Sequence, residues 1–246
     1  KGALTEKSHL PWQRLPNTQL DSFFLKQGYF PGLDIGQKEY VKEVHEWERR
    51  QSVAVSLGAY YDFWSLALMA KALHIEKEHD QFMDFASNYK KLFNKKTGFF
   101  HPRNIQGNFI EPLDYTFGGG LGARDYYDEN NAWTYRWALP FDISGLITIM
   151  DGKDNFVKNL DQTFREPLGK SKWNFYAQLP DQTGNVGQFS MGNEPSLHIP
   201  YLYNYAGQPW KTQKRLRTLL NQWFRNDLMG VPGDEDGGGL SAFVVF

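Results

Sequence analysis

Residues 52–74, SVAVSLGAYYDFWSLALMAKALH, decide the fold class of this 246-residue chain. Apolar side chains recur in this stretch at spacings of three and four, which predicts an α-helix. The residues with this spacing are Val53, Leu57, Tyr60, Tyr61, Trp64, Leu68 and Leu73. Because the stretch is apolar around most of its circumference, we expect an inner, buried helix. Residues 77–94 follow with one aromatic stripe and one charged face, as expected of an outer helix; the stripe consists of Phe82, Phe85, Tyr89 and Phe93.

The same alternation of buried and amphipathic helices continues along the chain. We predict helices from about Asn130 to Met150, with a bend at Pro140, and over residues 153–164. Two more are predicted from Glu194, with Pro195 in the first turn, and over residues 208–228. Strand-like alternation is scarce. The prediction is an all-α fold, an (α/α)6 barrel or toroid built from helical hairpins.

A complete ring of six hairpins needs more helices than this sequence supplies, so we expect a barrel that is incomplete at one or both ends. The first residues carry no initiator Met, and the last, LSAFVVF, stop within an apolar run. Both features predict a piece of a longer protein, with residues 1–246 as a single helical domain. A helical-repeat scaffold is the runner-up, but the sequence has no repeat of fixed period.

Composition excludes several classes of function. The net charge is −1, which offers no basic surface for nucleic acid. Cysteine is absent, which excludes a disulfide framework, a thiolate nucleophile and a zinc–thiolate site. We find no signal peptide and no apolar run near the roughly 20 residues of a membrane span. Aromatic residues make up 16% of the chain; ring faces stack on sugars, although a large core uses rings as well.

Three stretches combine carboxylates, amides and aromatic residues beside predicted helix starts. They are DYYDENNAWTYRW (125–137), the stretch from Gly187 to Arg215 that contains GNEPSLHIPY, and PGDEDGGG (232–239). Any one of these acids could be a helix N-cap, because backbone N–H groups at helix starts favour nearby carboxylates. Three such clusters in one chain favour a functional site instead.

These stretches resemble the motifs of glycoside hydrolase family 92, the calcium-dependent exo-acting α-mannosidases. The resemblance rests on ENNAWTYRW, GNEPSLHIPYLYNYAGQPWKTQ and PGDEDGG, and it extends from about Ser52 to Phe246. It implies an (α/α)6 helical catalytic domain whose N-terminal β-sandwich is absent from this chain and would pack on it. It also implies hydrolysis of terminal α-mannosides with inversion, and a secreted or periplasmic location.

The resemblance assigns catalytic roles to individual residues. An inverting glycosidase needs one carboxylic acid that protonates the leaving oxygen and one carboxylate that activates water. Glu129, which opens ENNAW, corresponds to the acid, and Asn130 stands where the family has Gly. Asp236 corresponds to the base and Asp234 to its assistant. The family's Ca²⁺ points to Asn193 and Glu194 as metal ligands, and Trp133, Glu194 and His198 are candidate sugar contacts.

Several positions depart from the family's pattern and leave the linkage specificity open. They are Gly58, Phe141, Leu197 and Gly237. The expected substrates are mannose-containing glycans, N-glycans or mannans. Two alternatives remain: a metal-independent (α/α)6 glycosidase of the glucoamylase or trehalase type, and a non-catalytic carbohydrate-binding helical domain.

Overall fold

The computed structural model describes residues 8–11, 17–118, 124–178, 182–233 and 237–245. The chain divides into two compact units. The first consists of Lys1–Asp114 and Leu121–Asp128, and the second of Tyr115–Gly120 and Glu129–Phe246. Both units are helical, and the strands among the described residues are two-residue pairs. The predicted helical class with few strands is therefore confirmed.

The first unit is built on a long helix and its neighbours. Its elements are α1 (Gln19–Gln27), α2 (Ser52–Ala72), α3 (Glu76–Ala86), α4 (Tyr89–Leu92) and the antiparallel pair β1 (Phe93–Asn94) and β2 (Phe99–Phe100). Thr18 begins α1 with a capping box, in which its hydroxyl accepts from the Asp21 N–H and Asp21 accepts from the Thr18 N–H. The aromatic stripe predicted over 77–94 is divided, because α3 ends at Ala86 and Phe93 lies in β1.

The core of the first unit consists of stacked aromatic rings. Phe24 of α1 lies 4.7 Å, centroid to centroid, from Phe30, and Phe63 of α2 lies 4.7 Å from Phe85 of α3. Tyr60 is fully buried, and its hydroxyl donates to the Gly28 carbonyl at 2.7 Å. Large buried rings contribute most of the hydrophobic stabilisation of such a core, and these rings hold α1, α2 and α3 together.

Helix α2 corrects two expectations. One of its faces is exposed rather than buried all round, since Tyr61, Leu68 and Met69 are 45%, 44% and 61% exposed. Among the described residues it is also the helix that is long and apolar enough to cross a membrane, judged by length and composition alone. Core helices of soluble proteins pass the same test, and α2 has a buried face that includes Phe63 and Ala67.

The second unit carries shorter helices joined by loops. Its elements are α5 (Ala132–Tyr135), α6 (Ile143–Ile149), α7 (Lys153–Thr163), α8 (Lys172–Gln178), the antiparallel pair β3 (Asn185–Val186) and β4 (Phe189–Ser190), 3₁₀ helices at Glu194–Ser196 and Ile199–Asn204, α9 (Pro209–Trp223) and α10 (Gly239–Val245). Trp137 lies at the centre of this unit. Its ring packs edge-on against Phe156 of α7 at 5.3 Å, and its Nε1 donates to Thr163 Oγ1 at 3.0 Å.

The helix expected from Asn130 to Met150 is interrupted rather than bent. Segment α5 ends at Tyr135, and α6 begins only after Asp142, whose Oδ1 accepts from the Gly145 N–H at 2.7 Å. Pro140 supplies no N–H for a continuous helix, and Asp142 provides a new N-cap. The helix predicted from Glu194 is likewise replaced by two 3₁₀ helices. The helix predicted at 153–164 is confirmed, and the helix predicted at 208–228 is confirmed as far as Trp223.

Candidate active site

The segment that precedes Glu129 in sequence, residues 124–128, is held by the start of α2 within the first unit. The N–H groups of Gln51 and Val53 donate to the carbonyls of Arg124 and Tyr126 at 3.0 and 2.8 Å. The first N–H groups of a helix have no partner within the helix, so the segment that leads to Glu129 supplies these partners. A local ion pair, Arg124 to Asp128 at 3.3 Å, lies in the same segment.

In the second unit, Glu129 contacts the loop that carries Asn193. The Asn193 Nδ2 donates to Glu129 Oε2 at 3.2 Å, although 64 residues separate them in sequence. Asn193 has extended backbone angles and precedes the first 3₁₀ helix, which begins at Glu194. Two of the three stretches singled out in the sequence, ENNAW and GNEPS, therefore lie side by side.

A cluster of buried amides surrounds this contact. Asn130 Nδ2 donates to Asn193 Oδ1 at 2.8 Å, and Asn130 Oδ1 accepts from Gln182 Nε2. Asn131 caps α5, because its Oδ1 accepts from the Trp133 N–H, while its Nδ2 donates to Gln188 Oε1 at 3.0 Å. These side chains are at most 1% exposed: Asn130, Asn131, Gln182, Gln188 and Asn193. Such burial is favourable only when the amides hydrogen-bond one another.

The sequence did not identify all of this cluster. Asn130 and Gln188 lie within two of the stretches that the sequence singles out, but the sequence predicts no hydrogen bond for their amides, and Gln182 lies outside all three stretches. Nothing local marks Gln182, because its role depends on a contact with Asn130 that spans 52 residues. The consecutive amides of ENN, immediately before an α-helix, were the available signal for Asn130 and Asn131.

The acidic triplet Asp234, Glu235 and Asp236, which includes the predicted base and its assistant, lies outside the described residues. Its two flanks are described. Gly233 packs against Gly192, so a Cβ built on Gly233 would lie 2.5 Å from the Gly192 Cα, and a Cβ on Gly239 would lie 3.7 Å from Glu194 Cγ. The chain on both sides of the triplet therefore contacts the loop that contains Asn193 and Glu194.

This packing makes Gly233 sensitive to substitution. Gly233 has φ of +73°, and we expect Gly233→Ala to lower the free energy of unfolding by about 2–4 kcal/mol, through the left-handed conformation and a clash with backbone. Gly207→Ala is the matched control, since Gly207 has φ of +78° and no heavy atom within 4 Å of the added Cβ. Urea unfolding of the two variants should differ by at least about 1 kcal/mol; equal losses would contradict the close approach.

Trp133 and His198 lie in the interior of the second unit. Trp133 is 5% exposed, and the Arg136 guanidinium lies 5.5 Å from its ring centroid. Burial lowers the pKa of Arg136 to about 10. His198 Nε2 lies 2.8 Å from the Trp137 carbonyl oxygen, and burial lowers the pKa of His198, which favours a neutral ring that donates to that carbonyl. The structure thus gives both residues a packing role, and their predicted sugar contacts stay predictions.

The donor atoms near Asn193 suit a hard cation. Within the described part of the chain, buried side-chain oxygens of Gln182, Thr183 and Ser196 have no hydrogen-bond partner. The surrounding groups are amide, hydroxyl and carboxylate oxygens, which Ca²⁺ prefers. Across the described ranges, no group of three or more His, Cys, Asp or Glu could hold a metal. The residues therefore fit Ca²⁺ in donor type, with amide and main-chain oxygens supplementing Glu194.

A cavity of about 570 Å³ lies in the first unit and contains none of the predicted site residues. Arg50 lines this cavity. Its guanidinium donates two hydrogen bonds to the Glu39 carboxylate, at 2.7 and 2.6 Å, and one to the Pro31 carbonyl oxygen at 3.0 Å. Because the Arg50 guanidinium is already paired and the cavity contains none of the residues that the sequence singles out, the amide cluster around Glu129 is the better candidate.

Comparison with known proteins gives a consistent result. Residues 8–246 match the glycosyl hydrolase family 92 catalytic domain. A protein of Arthroderma benhamiae described as an uncharacterized secreted glycosidase is 27% identical over 215 residues, which are 80% of this chain and 25% of that protein.

Two solved structures from Bacteroides thetaiotaomicron are similar. A family GH92 alpha-mannosidase in complex with mannoimidazole matches with a TM-score of 0.77 and 27% identity, over 94% of this chain and 28% of that one. A family GH92 inverting mannosidase matches with a TM-score of 0.72 and 28% identity, over 97% of this chain and 30% of that one. The chain spans between 25% and 30% of the length of these relatives.

Proposed function

Because the chain belongs to glycosyl hydrolase family 92, we propose that it forms the helical catalytic part of an inverting, exo-acting α-mannosidase. The substrates are terminal α-mannosides of N-glycans or mannans, and Ca²⁺ assists. The two mannosidases of similar fold support this substrate class, and the relative described as secreted supports a secreted or periplasmic enzyme. The (α/α)6 barrel and the β-sandwich that packs on it belong to the same proposal.

One observation carries the proposal: Glu129 is hydrogen-bonded to Asn193, and both flanks of the triplet that contains Asp236 contact the Asn193 loop. An inverting glycosidase keeps its two carboxyl groups roughly 6.5–9.5 Å apart, with room for the sugar carbon and a water between them. The Asn193 loop contacts Glu129 and also contacts both described flanks of the acidic triplet. A loop with both sets of contacts is suited to fixing the distance between the two carboxyl groups.

The chemical steps follow from these positions. Glu129 gives its proton to the glycosidic oxygen as the bond between this oxygen and the anomeric carbon breaks. Asp236, assisted by Asp234, takes a proton from a water whose oxygen attacks the same carbon from the opposite face. Asn193 holds the Glu129 carboxyl through Oε2, which leaves Oε1 to carry the proton. Trp133, Glu194 and His198 shape the sugar site.

The stereochemistry of the product tests the proposal. We expect ¹H NMR of the intact protein acting on an aryl α-mannoside to show β-mannose first, with α-mannose appearing later by mutarotation. If α-mannose appeared first, the reaction would be retaining, and the assignment of Asp236 as a base that activates water would be wrong. Binding of mannosides without any release of mannose would favour the carbohydrate-binding alternative.

Calcium would be held by Asn193 and Glu194, and when bound it would polarise sugar hydroxyls and help to distort the ring. We expect EDTA to abolish hydrolysis, and Ca²⁺ to restore it better than Mg²⁺, because Mg²⁺ demands octahedral geometry and retains its waters. Binding of Ca²⁺ measured by calorimetry should weaken in Glu194→Gln, whereas the stability of the metal-free protein should change by about 1 kcal/mol or less.

Glu166→Gln is the control for this substitution and should bind Ca²⁺ normally; Glu166 is a half-buried glutamate of the second unit whose Oε2 accepts from Gln162 Nε2 at 3.2 Å. Full activity in EDTA, with unchanged affinity for mannosides, would contradict the calcium assignment. That result would favour the metal-independent glycosidase.

A further inference from the structure

We propose that Asn130 is a positioning residue for the acid Glu129, acting through the side-chain amide of Asn193. The inference rests on the proposed function, because it takes Glu129 as the proton donor. It concerns a residue where the sequence departs from the Gly of the family motif, and the proposal is carried by the contacts of that side chain.

The main-chain N–H of Asn131 fixes the direction of the Asn130 side-chain amide. The backbone N–H of Asn131 donates to Asn130 Oδ1 at 2.8 Å. A main-chain N–H is always a donor, so the oxygen end of the Asn130 amide must face it. Gln182 Nε2 donates to the same oxygen. The Nδ2 end of Asn130 therefore points the other way, toward Asn193.

The direction of the next amide follows. Asn130 Nδ2 has hydrogens and no acceptor capacity, so the atom of Asn193 that lies 2.8 Å away must be Oδ1. This leaves Asn193 Nδ2 to face Glu129 Oε2 at 3.2 Å. Each amide in the series has one permitted orientation, and the series ends with an N–H group directed at one oxygen of the acid.

Without the Asn130 side chain, no hydrogen bond in this series distinguishes the two ends of the Asn193 amide, and Ca²⁺ alone would hold Oδ1 away from Glu129. Whenever the metal does not hold it, Asn193 can rotate by half a turn and present Oδ1 to Glu129. Two oxygens in contact compete for a single proton, and the acid proton would be drawn from the leaving oxygen toward Asn193. The expected loss is therefore in proton transfer to the leaving group and not in sugar binding.

Asn130→Ser tests this role, because it removes the donor to Asn193 and leaves a small polar side chain beside the Asn131 N–H. We expect kcat on an α-mannobiose to fall about 10–100-fold, as for other residues that orient a reacting group, with KM changed less than about 2-fold. On 2,4-dinitrophenyl α-mannoside, whose leaving group needs no proton, we expect kcat to fall less than about 3-fold. General damage to the site would lower both rates alike.

Asn94→Ser is the matched control, since Asn94 is a buried asparagine of the first unit whose Oδ1 accepts from the Lys96 N–H. It should leave both rates unchanged. If Asn130→Ser does not fold, Asn130→Gly gives the same test, because water can enter the space and satisfy Gln182 and the Asn131 N–H.

An equal fall on both substrates, or no fall on either, would overturn the positioning role. Failure of the proposed function itself would be recognised separately, because the parent protein would then release no mannose from the mannobiose, or Glu129→Gln would release it as fast as the parent does.

Discussion

Glu129→Gln is expected to lower kcat on α-mannobiose by about 10²–10⁴-fold, the usual contribution of a general acid. This loss corresponds to about 3–5 kcal/mol of transition-state stabilisation. Glutamine has nearly the shape of glutamate and still accepts the hydrogen bond from Asn193 Nδ2 at the Oε2 position. Because the substitution removes the proton and keeps the geometry, KM should change little.

The dependence on the leaving group makes this prediction specific. On 2,4-dinitrophenyl α-mannoside the departing phenolate is stable without protonation, so Glu129→Gln should cost less than about 10-fold. Glu166→Gln is the control and should behave as the parent protein on both substrates. Comparable losses on both substrates would contradict an acid role for Glu129. If the parent protein bound mannosides without hydrolysing them, and Glu129→Gln bound them with the same affinity, the chain would be a carbohydrate-binding domain.

The helices that could be predicted from sequence are those whose packing is local. Helix α7 (Lys153–Thr163) and helix α9 (Pro209–Trp223) each bury one stripe against their neighbours, and a stripe of period 3.6 is visible in any single sequence. The exposed face of α2 could not be predicted, because Leu68 and Met69 are as apolar as the residues on its buried face. Hydrophobicity identifies a helix that can be buried, not the partners that cover it.

The break between α5 and α6 depends on local hydrogen bonds, which the spacing of apolar residues does not reveal. The apolar periodicity predicts one helix that bends at Pro140, but Asp142 forms a new N-cap, so no continuous helix passes through this point. The 3₁₀ segments after Asn193 follow a similar rule, since Pro200 removes an N–H group that a continuous α-helix from Glu194 would use. Local hydrogen-bond chemistry decides these elements.

The candidate site was predictable in Glu129 and Asn193 and not in the other amides. Both residues stand in motifs that a family resemblance identifies, and the structure brings them into contact. Gln182 enters through a contact with Asn130 that no local pattern encodes. Asymmetric groups such as amides acquire a direction only from the donors and acceptors around them, and those neighbours are known only once the fold is known.

Asp236→Asn is expected to lower kcat by about 10²–10⁴-fold on every α-mannoside, irrespective of the leaving group. The reason is that the water must lose a proton whenever it attacks the anomeric carbon, however readily the other group departs. The pattern is thus the opposite of that for Glu129→Gln, and steady-state rates on mannobiose and on 2,4-dinitrophenyl α-mannoside separate the two roles. Asp227→Asn is the control, because Asp227 is an exposed aspartate whose Oδ2 accepts from Arg225 Nε at 2.9 Å.

A small anion provides the second part of this test. Azide needs no deprotonation, so in Asp236→Ala it can enter the space of the missing carboxylate and attack the anomeric carbon in place of water. We expect partial recovery of activity with β-mannosyl azide as the product, identified by NMR, because the attack comes from the face opposite the leaving group. Formation of α-mannosyl azide would instead mean that the leaving oxygen and the anion use the same face, and Asp236 would then not be the base. Activity of Asp236→Asn equal to that of the parent protein would lead to the same conclusion.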